Sequence, residues 1–292
     1  MVLAAGLGNR LRPLTDLCAK PLVPVGDRPA LEHVLDRLRG AGVQRLVVNA
    51  HHRAEDVRAF ARRHQGEVHV SDEPELLGTA GGVARAADLL GAGDVVVWNG
   101  DILAEVDVRA LVQAHAVGAA AGAVAATLVV QPRAPGQGTV GLDRDGRVVR
   151  LRGRRIAEEA SGGEFLGIQV LGSALRVQLP DRGCLVGDGY IPALEGGVLL
   201  RAYVHDAPFF DIGTIRRYLE ANLAWLSARG AAQWIAPGAH VAAGVALDRA
   251  IVGQGASARG AGALERCVVW AGADAVAPLA DAVVAPGLVV SA

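Results

Sequence analysis

The sequence predicts an α/β protein with a repetitive, strand-rich region at its C-terminal end. Two observations lead to this prediction. Segments of strand and helix character alternate over the first two thirds of the chain, and glycine–alanine pairs recur at a fixed spacing near its end. Alternating strands and helices are typical of a largely parallel sheet covered by helices. The 292 residues exceed the roughly 100 to 200 residues of a usual domain, which favours one large domain and one small one.

The spacing of apolar residues divides the first part of the chain into elements. Leu31, Leu35 and Leu38 recur on one face of a helix that Gly40 is placed to end. Thr214 is a good N-cap for a long helix, and Asp145-Gly146 is typical of a tight hairpin turn. We also expect strands at 46–48, 68–70 and 95–98, helices around 57–61 and at 80–90, and a hairpin of 140–142 with 148–149.

The C-terminal region repeats itself. Glycine–alanine pairs begin at residues 238, 255 and 272, a spacing of 17, and Pro286-Gly287 follows at a shorter interval. Leu247, Leu264 and Leu279 recur in nearly the same phase. Such a period predicts a small β-solenoid of about three coils, which bury a shared core by stacking. We therefore assign residues 1–230 to the first domain and residues 231–292 to the second.

Composition excludes several classes of function. The formal net charge of −1 gives no electrostatic basis for binding nucleic acid. Charged residues interrupt the apolar runs before the ~20 residues that a membrane span needs, so we expect no membrane partner. The first residues lack the pattern of a secretory signal, and we expect a cytoplasmic protein. Cys18, Cys184 and Cys267 form no CxxC pair, and we expect them to be buried small side chains.

The chain has 29 basic residues, and Lys20 is its only lysine. The lysine ammonium group is a compact point charge on a flexible stem, whereas the arginine guanidinium is a planar fork. A site built around a single phosphate oxygen can require the ammonium group. We therefore expect Lys20 to bind phosphate, and chance retention of one lysine is the alternative.

A glycine turn, Gly6-Leu7-Gly8, follows the first strand-like run. Backbone N–H groups of such turns can cradle phosphate groups. It is not a Walker A loop, because no GK[ST] follows. It is not a dinucleotide-binding fingerprint either, because Asn9-Arg10-Leu11 stands where the third glycine would be needed. Arg10, Arg12 and Lys20 add three cations near the turn, which suits a triphosphate and a second phosphate.

Several stretches resemble the signatures of the sugar-1-phosphate nucleotidyltransferases, or nucleotide-sugar pyrophosphorylases. They are Leu3-Ala4-Ala5-Gly6-Leu7-Gly8-Asn9-Arg10-Leu11-Arg12-Pro13-Leu14-Thr15, Lys20-Pro21-Leu22, Leu77-Gly78-Thr79-Ala80-Gly81-Gly82, Asn99-Gly100-Asp101 and Phe210-Asp211-Ile212-Gly213-Thr214. The resemblance implies a Rossmann-like mixed sheet in the nucleotidyltransferase domain. The tail is similar to the left-handed β-helix of hexapeptide repeats that several members carry, such as mannose-1-phosphate guanylyltransferases.

The resemblance also implies roles for individual residues. Asp101 and Asp211 would bind one catalytic Mg²⁺, which prefers hard carboxylate oxygens. Arg10 would hold the β- and γ-phosphates, and Lys20 would hold the sugar phosphate. The nucleotide would lie on Leu3, Ala5, Gly6, Gly8, Gly78, Thr79 and Ala80. In the alternative without a metal, Asp101 only caps the next segment and Asp211 only interacts with the dipole of the following helix.

The resemblance makes Asn99, Glu164 and Gly167 the expected sugar ligands. Glu164-Phe165-Leu166-Gly167-Ile168 is similar to the stretch whose backbone meets the sugar in relatives. Many relatives carry Glu-Lys-Pro before this segment, whereas this chain has Ala157-Glu158-Glu159-Ala160. This departure weakens the match to thymidylyl and glucose-type uridylyl enzymes.

The expected reaction converts a nucleoside triphosphate and a sugar-1-phosphate into a nucleotide sugar and pyrophosphate. Mannose-1-phosphate guanylyl transfer from GTP is favoured, and uridylyl transfer to an N-acetylmuramate or heptose phosphate is the alternative. A non-catalytic homologue that binds nucleotide sugars and controls a partner is a further alternative, although Lys20, Asp101 and Asp211 together argue against it. A tail of about three coils is a short platform for acyl transfer, so we expect it to serve homo-oligomerisation or effector binding.

Overall fold

The computed structural model describes residues 1–120 and 124–292. Its α-helices are α1 (Leu14–Leu17), α2 (Ala30–Gly40), α3 (Ala54–Arg62), α4 (Gly78–Arg85), α5 (Ala87–Leu90), α6 (Val108–Ala120), α7 (Ser173–Arg176), α8 (Ile191–Glu195) and α9 (Ile215–Ser227). Its strands are β1 (Val2–Leu3), β2 (Pro24–Val25), β3 (Arg28–Pro29), β4 (Leu46–Ala50), β5 (Val68–Asp72), β6 (Val95–Asn99), β7 (Ile102–Ala104), β8 (Val124–Arg133), β9 (Val140–Leu142), β10 (Val148–Leu151), β11 (Arg154–Arg155), β12 (Ser161–Leu171), β13 (Leu199–Val204), β14 (Phe209–Asp211), β15 (Gln233–Ile235), β16 (His240–Val241), β17 (Val245–Asp248), β18 (Ala250–Val252), β19 (Ser257–Val269), β20 (Asp274–Ala285) and β21 (Leu288–Ser291). The described residues also include 3-10 helices at Asn9–Leu11 and Lys20–Leu22 and a π-helix at Leu185–Tyr190. None of the described helices has the length and apolar character that crossing a bilayer needs.

The described residues divide into two compact units. The first unit comprises residues 1–6 and 34–209, and the second comprises residues 7–33 and 210–292. The boundary that the sequence predicts, between residues 230 and 231, falls inside the second unit, because residues 7–33 and α9 group with the tail. The assignment of 1–230 and 231–292 as separate domains stays a prediction.

A mixed sheet forms the centre of the first unit. Ten strands of the described residues follow the order β11-β10-β9-β12-β6-β1-β4-β5, with β8 paired to β12 and β13 paired to β8. Strands β6, β1, β4 and β5 are parallel, whereas β12 runs antiparallel to β6, β8 and β9. The predicted mixed sheet of an α/β fold is therefore confirmed.

Apolar side chains from both halves of this sheet share one core. Val2, Val47 and Val48 are fully buried, because β1 and β4 lie inside the sheet and not at its edge. Val47 of β4, Ala80 of α4 and Leu128 of β8 belong to one buried cluster. The core thus joins the parallel half to the antiparallel half, and it supports the edge where the parallel strands end.

Most elements of the first unit lie where the sequence places them. The prediction of one helix at 80–90 is wrong in detail. This segment is two helices, because the chain leaves helical geometry at Ala86, which has a ψ of 5°. The Ala86 N–H still donates to the Gly82 carbonyl oxygen, and the Leu90 N–H donates to the Ala86 carbonyl oxygen. The backbone groups stay paired through the break, so no glycine or proline is needed there and none marks it in the sequence.

The tail of the second unit is a stack of parallel coils. The in-phase leucines and apolar triplets pair from coil to coil, as Leu247 with Leu264, Leu264 with Leu279, Ile251 with Val268, and Val268 with Val283. The pairs Leu247–Leu264 and Ile251–Val268 confirm the predicted 17-residue period, and the next coil is two residues shorter, as the shift of register between Gly260 and Leu264 shows. Arg249, Arg266 and Asp281 share a φ of 48°, a left-handed conformation that non-glycine residues rarely adopt. The left-handed sense of the coil stack stays a prediction.

The last repeat differs from the prediction. Pro286-Gly287 forms a hairpin turn, and β21 pairs antiparallel to β20 with Leu288 opposite Ala285. Gly287 has a φ of 73°, which glycine adopts at little steric cost. The coil stack therefore ends in an antiparallel strand instead of a further coil.

Helix α9 anchors the β2–β3 hairpin within the second unit. The predicted N-cap is confirmed, because the Thr214 hydroxyl oxygen accepts a hydrogen bond from the Arg217 N–H. The Gly26 N–H donates to Asn222 Oδ1 at 2.9 Å. Gly26 has a φ of 64°, and the ring of Trp225 occupies the place where a Cβ would lie. Only glycine fits at this position.

Tyr218 joins the hairpin, α9 and the coil stack. Its hydroxyl donates to the Pro24 carbonyl oxygen and accepts a hydrogen bond from Trp270 Nε1 at 2.9 Å. Burial raises the pKa of Tyr218 above its usual value, so the hydroxyl keeps the proton that it donates. These bonds make the second unit one hydrogen-bonded assembly.

Val283 and Val276 offer a matched test of the coil core, because both lie on β20. Val283 is fully buried, whereas Val276 is 52% exposed. Val283→Ala removes two methyl groups from a packed core, and we expect the free energy of unfolding to fall by about 2 kcal/mol. Val276→Ala should change it by less than about 0.5 kcal/mol. Urea unfolding followed by tryptophan fluorescence measures both effects, and equal effects would contradict the coil core.

Candidate active site

The ends of β1 and β6 bring two of the predicted segments together. Leu3 pairs with Asn99 in the parallel ladder, and the Gly100 N–H donates to the Leu3 carbonyl oxygen at 2.8 Å. Ala5, which is buried, and Gly6, which is exposed, continue from this edge. Ligands of α/β proteins bind outside the carboxyl ends of parallel strands. The start of the predicted phosphate-binding turn thus lies at the edge where a nucleotide is expected.

Two of the predicted sugar ligands lie side by side. Gly167 has a φ of 72°, and a Cβ built on it would lie 2.3 Å from Asn99 Nδ2. The pairing of β12 with β8 shifts register between Phe165 and Gln169, so Gly167 lies at an irregularity of the strand. Any side chain at position 167 would displace the Asn99 amide.

Glu164, the third predicted sugar ligand, is held by a residue that the sequence did not reveal. The Thr139 hydroxyl donates to Glu164 Oε1 at 3.3 Å, and the Phe165 N–H donates to the Thr139 hydroxyl oxygen at 3.0 Å. Thr139 therefore orients the carboxylate. It lies 25 positions before Glu164, and no local pattern connects the two.

Gly78, Thr79 and Ala80 form the first turn of α4, and a distant segment holds them in place. The Ala80 N–H donates to the Gly183 carbonyl oxygen at 2.9 Å, and the Leu185 N–H donates to the Thr79 hydroxyl oxygen at 2.7 Å. Gly78 has a φ of 77°, and a Cβ there would lie 2.4 Å from the Gly183 carbonyl oxygen. The turn requires glycine, and the Ala80 N–H is already engaged within the chain.

In the second unit, Gly8 lies directly against Lys20. A Cβ on Gly8 would lie 2.8 Å from Thr15 Cγ2 and 3.2 Å from Lys20 Cβ. The Thr15 hydroxyl donates to the Gly8 carbonyl oxygen at 3.0 Å, and Gly8 has a φ of 65°. The second glycine of the turn is therefore required by conformation and by space. The structure brings the turn and the only lysine together.

Arg10 and Asp211 meet at Gly213. A Cβ built on Gly213 would lie 2.7 Å from Asp211 Oδ1 and 2.9 Å from Arg10 Nη2. Asp211 Oδ1 is a buried oxygen that has no hydrogen-bond partner among the residues that the structure describes. Buried polar atoms are almost always paired, and a carboxylate oxygen in this situation is the kind of atom that a hard cation binds.

The two predicted metal ligands belong to different units. Asp101 follows β6 in the first unit and is half-buried, and Asp211 lies in the second unit. In the part of the chain that the structure describes, no three His, Cys, Asp or Glu side chains are grouped to hold a metal ion. Mg²⁺ usually takes one or two carboxylates and completes its shell with phosphates and water. Each aspartate is thus a residue of the type that Mg²⁺ takes, and their joint role as ligands stays a prediction.

The stretch that stands in place of Glu-Lys-Pro forms a buried ion pair. Arg150 Nε donates to Glu159 Oε2 at 2.6 Å, with the two side chains 9% and 4% exposed. The Arg150 guanidinium also donates to the carbonyl oxygens of Gln137 and Gly138, so it holds the loop between β8 and β9. The guanidinium keeps the pKa of Glu159 below its usual range.

The prediction for the cysteines is wrong in part. Cys267 is buried, but Cys18 and Cys184 are half-buried. Arg152 Nη2 donates to Cys184 Sγ at 3.3 Å. Burial alone would raise the pKa of the Cys184 thiol, but Arg152 and two backbone N–H groups of the following π-helix lower it below its ordinary value. Arg152 lies 32 positions before Cys184, so spacing of cysteines alone could not reveal this environment.

The mixed sheet, with glycine turns at the carboxyl ends of its parallel strands, defines an α/β protein of the nucleotide-binding class. The chain matches the family described as Nucleotidyl transferase over residues 1–228. It belongs to that family.

Characterised relatives differ in the substrates that their names state. The UTP–glucose-1-phosphate uridylyltransferase of Synechocystis is 29% identical over 76% of this chain and 61% of its own length. The mannose-1-phosphate guanyltransferase of Schizosaccharomyces pombe is 28% identical over 78% of this chain and 64% of its own length. The N-acetylmuramate α-1-phosphate uridylyltransferase of Caulobacter vibrioides is 45% identical, but over only 35% of this chain and 44% of its own length. The chain thus spans between 44% and 64% of the lengths of these relatives.

A solved structure shows the same fold. HddC from Yersinia pseudotuberculosis, in complex with GMP-PN, superposes with a TM-score of 0.63 over 77% of this chain and 97% of that chain. The sequence identity is 23%, so the comparison concerns the fold alone.

Glu159→Gln tests the buried ion pair, because it keeps the shape of the side chain and removes its charge. It leaves the Arg150 guanidinium buried without a counterion, and we expect the free energy of unfolding at pH 7 to fall by about 3 kcal/mol. The folded-state pKa of Glu159 is lowered, so its contribution is complete above the ordinary value of 4.5 and is lost as pH falls through the lowered value.

The gap in stability between wild type and Glu159→Gln should therefore begin to narrow as the pH falls below 4.5 and close once the pH is below the lowered pKa. Denaturant unfolding at several pH values measures the gap. Glu158→Gln, an exposed neighbour, is the matched control and should show no such gap. A gap that stays constant from neutral to acidic pH would show that the charge of Glu159 is not its cause.

Proposed function

We propose that this chain transfers a nucleotidyl group from a nucleoside triphosphate to a sugar-1-phosphate, with release of pyrophosphate. The observation that carries the proposal is the packing of the glycine turn against Lys20 through Gly8. A turn suited to phosphate groups, packed against the base of the only lysine side chain, fits a reaction between two phosphate-bearing substrates. Membership of the nucleotidyl transferase family supports the same reaction class.

In this proposal Lys20 holds the sugar phosphate, and Arg10 holds the β- and γ-phosphates of the nucleotide. A phosphate monoester is already nucleophilic, so the reaction depends on positioning and charge neutralisation and needs no general base. An oxygen of the sugar phosphate attacks the α-phosphorus. The bond from the α-phosphorus to the bridging oxygen breaks, and pyrophosphate leaves without a covalent enzyme intermediate.

Asp101 and Asp211 would hold Mg²⁺, and the unpaired buried Asp211 Oδ1 supports this assignment. When bound, Mg²⁺ neutralises charge on the phosphate groups. The nucleotide would contact the residues Leu3, Ala5, Gly6, Gly8, Gly78, Thr79 and Ala80. The sugar would contact Asn99, Glu164 and Gly167, where the side-by-side placement of Asn99 and Gly167 supports a shared subsite.

Mannose-1-phosphate and GTP are the favoured substrates, in line with the mannose-1-phosphate guanyltransferases among the relatives. Uridylyl transfer to N-acetylmuramate phosphate is the second candidate. It is favoured by the two relatives of that name from Caulobacter vibrioides and Neisseria meningitidis, which are 45% and 40% identical over 107 and 117 residues. We assign the protein to the cytoplasm, and the coil stack to homo-oligomerisation or effector binding.

Pyrophosphate release from each of five nucleoside triphosphates, paired with mannose-, glucose-, N-acetylmuramate- and heptose-1-phosphates in the presence of Mg²⁺, identifies the substrates. Lys20→Arg keeps the charge but exchanges the compact ammonium group for a planar fork, and we expect kcat/KM for the preferred pair to fall roughly 100-fold. Arg216→Lys, the converse exchange at an exposed position of α9, is the control and should leave kcat/KM within about twofold.

The proposed role of Lys20 is contradicted if Lys20→Arg retains the wild-type kcat/KM. Nucleotide-sugar binding without release of pyrophosphate from any pair would favour the non-catalytic, regulatory alternative.

A further inference from the structure

A buried chain of hydrogen bonds connects the two nucleotide segments of the first unit. The Ala4 N–H donates to Asn49 Oδ1 at 2.6 Å, and Asn49 Nδ2 donates to Glu73 Oε1 at 2.6 Å. The Leu77 N–H donates to the other carboxylate oxygen, Glu73 Oε2, at 3.1 Å. One end of this chain is the residue after β1, and the other is the residue before Gly78.

The two side chains in the middle are deeply buried. Asn49 is 2% exposed and Glu73 is 4% exposed. A buried carboxylate is costly unless its oxygens are paired, and here each oxygen accepts a hydrogen bond. The backbone of Glu73 is also fixed, because its N–H donates to the Ala50 carbonyl oxygen at 2.8 Å and its carbonyl oxygen lies 2.9 Å from His51 Nδ1. The pair is therefore rigid.

Helix α4 packs directly on this pair. A Cβ built on Gly82 would lie 2.7 Å from Glu73 Oε1 and 2.8 Å from Asn49 Nδ2. Gly82 thus provides the space that the pair occupies beneath the helix. The first turn of the same helix contains Gly78, Thr79 and Ala80. The pair therefore sets how closely this turn approaches strands β4 and β5.

We infer that Asn49 and Glu73 are positioning residues that fix the spacing between the Leu3–Gly6 segment and the Gly78–Ala80 turn, and thereby set the affinity for the nucleoside triphosphate. This inference rests on the proposed function. Neither side chain needs to touch the substrate, because each acts through the backbone of a neighbouring segment, Ala4 or Leu77. Strand β4, which carries Asn49, lies between β1 and β5, and this places the amide within reach of both sides.

The order of donors and acceptors along this chain of hydrogen bonds predicts which substitutions it tolerates. Asn49→Asp removes the only donor between the two side chains and sets two carboxylates against each other. Glu73→Gln supplies one acceptor and one donor where two acceptors are needed, so one donor faces another donor in either orientation of the amide. In the double variant Asn49→Asp/Glu73→Gln, every donor has an acceptor again. The carboxylate at position 49 accepts from Ala4 and from the new amide, whose oxygen accepts from Leu77.

The test measures KM for the nucleotide, KM for the sugar phosphate, kcat and the thermal midpoint for the wild type, both single variants and the double variant. We expect each single variant to raise the KM for the nucleotide about tenfold, as loss of one buried hydrogen bond would. The KM for the sugar phosphate should stay within about twofold, and the double variant should regain most of the nucleotide affinity.

A role in stability alone would lower the thermal midpoint of the single variants and leave their nucleotide KM unchanged at a temperature where all are folded. That result, or a double variant as impaired as the singles, overturns the inference. Amide hydrogen exchange of residues 3–8 and 77–82 distinguishes failure of this inference from failure of the proposed function, because it does not depend on transferase activity. Exchange that is faster in both segments in each single variant, and slow again in the double variant, supports the positioning role even if the wild type has no transferase activity. Unchanged exchange in the single variants overturns it.

Discussion

The pairing of β1 between β4 and β6 is the constraint on which the rest of the structure depends. Only Val2 and Leu3 form this strand, yet it pairs in parallel on both sides. Because the strand is so short, the chain leaves the sheet at Ala4 and enters the glycine turn at once. The neighbouring strands then supply the residues that surround this exit, with Asn49 on β4 and Asn99 on β6. The place where the chain leaves the sheet toward the glycine turn is therefore fixed by the two paired residues of β1.

Glycine has a specific steric role at several points within each unit. Gly8 lies against Thr15 and Lys20, Gly167 lies against Asn99, and Gly82 lies against the Asn49–Glu73 pair. A Cβ at each of these positions would lie between 2.3 and 2.8 Å from the nearest side-chain atom, so glycine lets the backbone pack against its neighbour. This close approach of backbone to side chains explains why glycines cluster in the motifs that the sequence displays.

Periodic and local features of the fold were predictable from the sequence. The spacing of Leu247, Leu264 and Leu279 indicated the coil register, because stacked coils align equivalent residues directly. Thr214 indicated the start of α9 because N-capping involves neighbours within one turn. The break at Ala86 was not predicted, because apolar residues continue through it. Pro286-Gly287 was counted with the repeat, and the sequence did not show that the strand after this turn pairs back antiparallel to β20.

The candidate site was predictable only as a set of residue types. The motifs indicated Gly8, Lys20 and Asp211 and placed Lys20 near the glycine turn. They did not show that Gly8 packs against the Lys20 side chain, or that Asp211 Oδ1 is buried without a hydrogen-bond partner among the described residues. Supporting partners were hidden because they are distant in sequence and of common types. Asn49 and Glu73 are 24 residues apart, and Thr139 is 25 residues from Glu164. Such pairs become visible only when the sheet brings their strands together.

The most direct test of the account is the identity of the product, followed by ³¹P NMR in a mixture of the protein, Mg²⁺, the preferred nucleoside triphosphate and sugar-1-phosphate. If the sugar phosphate attacks the α-phosphorus, the two coupled resonances of a nucleoside diphosphate sugar will grow in step with pyrophosphate. Appearance of a nucleoside mono- or diphosphate with unchanged sugar-1-phosphate would show that water is the acceptor, and it would contradict the account.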